Sequence, residues 1–269
     1  MATEADKGYD HILGRIAEVV ESLERETGLG RPATIGIGTP GTLDPATGRM
    51  KNCNTQCLNG RPLHADLEHT LGTHVRLAND ANCLALAEAR LGAGRGAPTV
   101  FGVILGTGIG GGLVVDGEVL PGLHGIAGEW GHMTLDPNGK PCYCGRRGCV
   151  ETFISGPAVE AAHRRRTGRE LRVTEIAALA DSDPSCAETI GEFCTHFGRG
   201  VAQVINLFDP HVIVIGGGLS RVPQLYSLGR AAILPHLFNP YLDTPIVAAE
   251  LGDSAGVFGA AMLAASSNR

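Results

Sequence analysis

A chain of 269 residues with 43% hydrophobic side chains and a mean hydropathy of +0.07 carries enough apolar surface for one large core or two modest ones. No run approaches the length of a membrane-spanning helix, and the opening MATEADKGYD lacks the basic and apolar regions of a signal peptide, which makes the cytoplasm the expected compartment. A formal charge of −6 argues against sequence-independent binding to nucleic acid, and eight scattered cysteines are too few for a disulfide framework.

The chain opens with Tyr9, Ile12, Ile16, Val19, Val20 and Leu23 at helical spacing, which predicts an amphipathic helix ended by Gly28 and Gly30. ATIGIGTPG reads as a buried strand over 33–37 running into a turn whose glycines, Gly38 and Gly41, either let backbone approach a ligand or simply make a tight bend. Residues 42–62 are loop-rich, and KNCNTQCLNG offers Asn52 and Asn54 as neutral partners for hydroxyl groups, a role that competes with ordinary turn formation. VRLANDANCLALAEARLGAG predicts a strand over 75–78, a polar switch at Asn79 and Asp80, and a helix over 81–91. Asp80 is there either to cap the helix or to meet a ligand, because strand-to-helix junctions in α/β proteins present ligand-contacting groups.

TVFGVILGTGIGGGLVVDGEVL predicts a three-stranded meander with its second turn at Asp116 and Gly117. In its first turn, Gly106, Gly108, Gly110, Gly111 and Gly112 expose backbone N–H groups suited to anionic oxygens, with a hydroxyl from Thr107. The pattern is neither a dinucleotide fingerprint nor a Walker sequence. GEWGHMTLDPNGKPCYCGRRGCVE then gathers His132, Cys142, Cys144 and Cys149, a set suited to tetrahedral zinc or, failing that, to buried free thiols. Gly145 and Gly148 allow tight turns between them. Glu129 and Glu151 flank the set, where a metal would draw them together; without one they read as loop carboxylates. His132 can give one ring nitrogen to the metal and the other to a ligand. Cys53, Cys57, Cys83, Cys186 and Cys194 read as ordinary buried thiols, and Arg164, Arg165 and Arg166 as a solvated helix face.

Helices are predicted over 157–167, 173–180 and 186–208, the last closed by Asp209 and Pro210. A strand over 211–215 leads to Gly216, Gly217 and Gly218, a further strand covers 246–251, and a final helix follows with Asp253 as its cap. Alternating strands and helices with glycine-rich strand exits make an α/β chain.

GEWGH followed by CYCGRRGCVE resembles the double signature of the ROK family of bacterial sugar kinases and repressors, and the likeness extends over almost the whole chain. The resemblance implies an actin-like ATPase (ribonuclease H-like) fold in two lobes. Residues 1–80 with the returning helix 254–269 would form the small lobe, and residues 81–253 the large one. It implies structural Zn2+ on His132, Cys142, Cys144 and Cys149, and a sugar held by Gly41, Asn54, Asn79, Asp80, Glu129, His132 and Glu151. The aspartate of the NDAN motif, Asp80, would be the catalytic base. ATP with Mg2+ would lie on Gly106, Thr107, Gly108, Gly110 and Gly111 and on the adenosine turn at Gly216, Gly217 and Gly218.

The stretch 51–60 and PCYCGRRGCVETFISG look closest to the fructokinase or manno(fructo)kinase branch, so fructose and mannose are the expected acceptors, phosphorylated at the 6-position. N-acetylglucosamine and glucose are the alternatives, and a homodimer is the expected assembly. A sugar-responsive repressor and a catalytically dead sensor are readings of another class; nothing basic or helix-turn-helix-like precedes Ala33. The family's DxGGT-like first phosphate loop has no match here. A truncated small lobe, an unpaired strand edge near residues 33–37 and weak kinase activity are therefore expected.

Overall fold

The computed structural model describes residues 3–265. Helix α1 (Tyr9–Thr27) ends where Gly28 turns into the left-handed region, φ 67°, and its N–H bonds the Glu24 carbonyl. Strands β1 (Thr34–Thr39), β2 (Thr42–Leu43) and β3 (Met50–Lys51) follow, the last two as a small hairpin. Helix α2 (Leu63–Leu71) is absent from the sequence reading, because its apolar stripe is only Leu63, Leu67 and Leu71. It supplies the crossover that parallel pairing demands: β4 (His74–Asn79) runs beside β1 in register from Thr34↔His74 to Thr39↔Asn79.

Chain direction changes at Asn79, and α3 (Asp80–Leu91) begins. The predicted meander forms as β5 (Thr99–Leu105), β6 (Ile109–Val115) and β7 (Glu118–Val119). Helices α4 (Glu151–Ile154), α5 (Gly156–Thr167), α6 (Val173–Leu179), α7 (Pro184–Phe208) and α8 (Leu228–Ala231) lie on either side of β8 (Val212–Gly216) in the sequence, ahead of β9 (Ile246–Ala248) and α9 (Ala255–Ala265). The large sheet runs β7-β6-β5-β8-β9, with β8 parallel to both β5 and β9. Arg166 is not part of a free basic face: it bonds Glu192 at 2.6 Å and Glu188 at 3.2 Å, tying α5 to α7.

Buried side chains gather in separate clusters. The largest includes Phe101, Val103, Leu105, Trp130, Phe193, Phe197, Ile213 and Ile215, between the large sheet and the helices that follow the cysteine-rich segment. Another joins Tyr9, Ile12, Leu67, Leu71 and Val75, with Ile35 and Ile37 of β1 packed on it. The alternate residues of β1 face α9. A Cβ on Gly36 would stand 1.7 Å from the Ala260 carbonyl oxygen, so only glycine admits that helix. Among the described residues no strand pairs with the other edge of β1, and Ile16, Val19, Val20 and Leu23 of α1 face Val257 and Ala261 of α9 across an apolar hollow of about 860 Å³. No helix among the described residues is long and apolar enough to cross a membrane.

Strand β9 stops at Ala248, short of the expected 246–251, for an identifiable reason. Ala249 N–H still bonds the Ile215 carbonyl at 2.9 Å, but the two amides after it are captured by the Glu88 carboxylate, Glu250 N–H at 3.2 Å and Leu251 N–H at 2.9 Å, while Ala93 N–H donates to the same group at 2.9 Å. Glu88 is 0% exposed, so α3 is locked to the segment that leads into α9. The side chain of Asp253, the expected cap of α9, lies outside the described residues. Glu88→Ala would remove the acceptor of three part-buried donors at about 1 kcal/mol each, so urea unfolding should show a loss of about 3 kcal/mol, with Glu88→Gln intermediate.

Candidate active site

A polar cavity of about 720 Å³ opens where β4 meets α3. Its walls include Asn52, Asn54, Asn79, Asp80, Thr107, Gly108, Gly110, Glu129, His132 and Glu151, residues separated by up to a hundred positions in the chain. Of the expected sugar contacts, Gly41 does not line it. A Cβ there would lie 2.5 Å from Cys53 Sγ and 2.6 Å from the Lys51 carbonyl oxygen, so this glycine allows the hairpin to close. The loop beyond is shaped by Asn59, which accepts from Cys53 N–H and donates to Cys53 O, both at 2.9 Å. That clamp presents Asn52, Asn54 and Gln56 to the cavity.

The helix cap at this junction is Asn79, not Asp80: Asn79 Oδ1 accepts from Ala81 N–H at 2.8 Å. Asp80 is the first helical residue, and its Oδ1 shares the same donor at 2.8 Å. No cationic side chain pairs with it among the described residues. Although Asp80 is open to the cavity, the protein packed around it raises its carboxyl above the ordinary range, with the Ala81 amide opposing. Burial also raises Glu129, helped by the negative charges of Asp80 and Glu151. Three carboxylates thus face one pocket, the arrangement that separates a proton acceptor from hydrogen-bonding groups.

The first glycine-rich turn is tighter than the sequence reading had it. Gly106, Thr107 and Gly108 make the bend, closed by Gly106 N–H to Gly108 O at 3.0 Å, whereas Gly110 and Gly111 belong to β6. Gly111 is buried against the Gly128 carbonyl and Trp130 and is a packing residue, not an open donor. Ile109 N–H is taken by Glu151 Oε2 at 2.8 Å, and the amides of Thr107 and Gly108 have no partner among the described residues. Parallel pairing of β5 with β8 places the turn at Gly217 beside this one. Gly217 has φ 82°, and a Cβ on it would sit 2.4 Å from the Leu105 carbonyl oxygen. Gly216 is buried at the end of β8 against Leu84, so Gly217 and Gly218 are the accessible members of that triplet.

The segment carrying Glu129 and His132 is held on β6 by Trp130, whose indole N–H donates to Gly110 O at 3.0 Å. Gly131 permits this approach, since a Cβ would meet the Ile109 carbonyl oxygen at 2.4 Å. A second crossing, Val150 N–H to Met133 O at 2.9 Å, fixes Cys149 and Glu151 next to it. As a result the ligand atoms of His132, Cys142, Cys144 and Cys149 all lie within 4.8 Å of one another. Cys144 Sγ is 3.6 Å from Cys149 Sγ, and Cys142 Sγ is 3.6 Å from His132 Nδ1. Tetrahedral zinc with bonds of about 2.0–2.3 Å requires edges of about 3.6–3.8 Å, which these two separations match, and the whole set would close on a metal with shifts of about 1 Å or less. Burial lowers the pKa of His132, favouring the neutral ring a metal needs. Against burial, which acts upward, hydrogen bonds from Arg146 and the neighbouring thiols bring Cys144 down to about 7. The other five cysteines lie apart from this set; Cys57 is only half-buried.

With Nδ1 toward the thiols, a metal-bound His132 would carry its ring proton on Nε2 and donate it to the Tyr143 hydroxyl, 3.0 Å away. Tyr143 and Arg146 both line the cavity, and sequence reasoning missed them because they read as spacers between ligands. Purified protein should titrate with about one equivalent of Zn2+ per chain by metal analysis, and Cys149→Ser should abolish that binding while lowering the unfolding temperature.

The model of the ROK family matches residues 2–267. The N-acetyl-D-glucosamine kinase of Haemophilus influenzae is 36% identical over 267 residues, covering 95% of this chain and 87% of that protein. Among solved structures, the ROK hexokinase from Thermus thermophilus superposes with a TM-score of 0.85 at 36% identity, covering 98% of this chain and 88% of the other. A ROK family glucokinase from Streptomyces griseus, in complex with glucose and AMPPNP, gives 0.83 at 29% identity, with 98% and 90% covered. The chain belongs to the ROK family, and its architecture is the actin-like ATPase fold.

Proposed function

We infer that this sugar kinase transfers a phosphoryl group from ATP to a hydroxyl of N-acetyl-D-glucosamine, with Asp80 accepting the hydroxyl proton. The observation that carries the reading is the Asp80 carboxylate, raised in pKa and unpaired, in a polar cavity that also contains the Gly106–Thr107–Gly108 bend. Phosphoryl transfer requires an acceptor for that proton and donors for the phosphate oxygens. The free amides of Thr107 and Gly108 are suited to the second task, and the exposed Gly217–Gly218 backbone beside them to the nucleoside. ATP with its Mg2+ supplies the transferred group and part of the charge neutralisation.

Asn54, Asn79, Glu129, His132 and Glu151 would orient the sugar, since neutral amides and carboxylates both suit hydroxyl groups. Zn2+ on His132, Cys142, Cys144 and Cys149 would be structural, fixing the position of His132 and through the chain those of Glu129 and Glu151. Residues 3–80 with α9 would form one lobe and residues 81–253 the other, closing on the cavity. Fructose and mannose, the acceptors expected from the signature residues, have less support than the N-acetyl sugar, which names relatives at 36% and 37% identity.

Asp80→Asn should bind sugar but lose about 10²–10⁴-fold in kcat. In the wild-type enzyme kcat/KM should fall as pH drops through the Asp80 pKa, because the base must be ionised. That acid limb should lie above the ordinary aspartate value of about 3.9. In ATP-dependent competition assays N-acetyl-D-glucosamine should rank above fructose and mannose, and the reverse order would return the acceptor to the fructokinase branch.

A further inference from the structure

His132 Nε2 points away from the thiol cluster and lies 3.0 Å from the Tyr143 hydroxyl; with Nδ1 given to a metal, Nε2 would carry the ring proton and the tyrosine oxygen would accept it. The two rings meet edge to face, 5.2 Å between centroids at 88°. Tyr143 lies in a turn closed by Cys142 N–H to Arg146 O at 2.8 Å and Gly145 N–H to Cys142 O at 3.0 Å, yet the residue is 65% exposed and lines the polar cavity. No other partner holds its hydroxyl among the described residues. An anchored backbone with an exposed side chain restricts motion to rotation of the ring, which takes place in about picoseconds to nanoseconds at exposed positions.

We propose that Tyr143 is an affinity latch: its hydroxyl oxygen occupies, in the sugar-free protein, the place of a sugar hydroxyl oxygen that would accept from His132 Nε2–H. The proposal rests on the hexose-kinase reading above. A sugar must displace the tyrosine oxygen to reach His132, so a sugar that returns the hydrogen bond exchanges one acceptor for another and gains less than it would from a free donor. One lacking that hydroxyl leaves Tyr143 in place and pays nothing for displacement, but gains nothing from His132. The latch therefore compresses affinity for the matching sugar while keeping the imidazole donor satisfied and its ring plane fixed in the empty protein.

Affinity for a competent state that is only fractionally populated falls by that fraction, so an intramolecular acceptor closed for most of the time weakens sugar binding by about three- to tenfold. Tyr143→Phe removes the acceptor oxygen and keeps the ring. Titration calorimetry of the zinc-loaded protein with N-acetyl-D-glucosamine, glucose and fructose should therefore give a Kd for the best sugar about three- to tenfold lower in Tyr143→Phe than in wild type. Tyr143→Ala serves as a second variant without the ring, and metal analysis confirms equal zinc in all three proteins. For the monodeoxy analogue that lacks the accepting hydroxyl, wild type and Tyr143→Phe should bind alike. Equal or weaker binding of the best sugar by Tyr143→Phe overturns the latch. A wild-type protein that binds none of these sugars overturns the hexose-kinase reading instead.

Discussion

Everything in the pocket depends on how closely α3 can lie on its neighbours. The helix is buried from Ala81 to Ala89, and most of the residues along it are alanine or other small side chains. Backbone meets backbone on two sides. A Cβ on Gly102 would stand 2.7 Å from Ala85 Cα, one on Gly112 would be 2.7 Å from the Ala81 carbonyl oxygen, and one on Gly259 of α9 would be 1.8 Å from the Cys83 carbonyl oxygen. At this spacing a single added methyl group displaces main chain, which interior packing does not absorb. The first residue of that helix is Asp80, and Glu88 clamps its far end to the strand exit before α9. The Asp80 carboxylate is thus set by contacts at both ends of one rigid rod.

The cysteine-rich segment solves a different problem. Residues 129–151 contain little regular structure, so the usual ladders cannot hold Glu129, His132 and Glu151 in place. Trp130 docks one end on β6, the Val150 to Met133 bond joins the two ends, and four converging ligand atoms close the loop. Glu151 then reaches further, accepting from Ile109 N–H. That bond ties the carboxylate-lined wall of the cavity to the Gly106–Thr107–Gly108 turn through one residue, so displacement of the cysteine loop would be felt at both.

Much of this was legible in the residues because it is written in local chemistry. Helical spacing of Tyr9, Ile12 and Ile16 announced α1, glycine at position 28 announced its end, and the Asp116-Gly117 pair, whose φ values are 50° and 76°, announced the β6–β7 turn. Three cysteines and a histidine within eighteen positions announced a tetrahedral set whose atoms do converge. Helix α2 went unread because three leucines carry too little periodicity, and Gly111 was misplaced because a glycine in a strand and a glycine in a turn have the same letter.

The sequence by itself determined which segments alternate as strand and helix, which residue types are available for chemistry and to which family the signature points, since each of these follows from side-chain type and short-range spacing. Only the tertiary structure decided which of them share a cavity. That Asn79 rather than Asp80 caps α3, that Glu88 ends β9 early, that Glu151 holds the glycine turn and that Tyr143 sits on His132 are outcomes of long-range packing. Such partners are chosen by three-dimensional proximity, which residues distant in the chain acquire when glycine-permitted backbones close on one another.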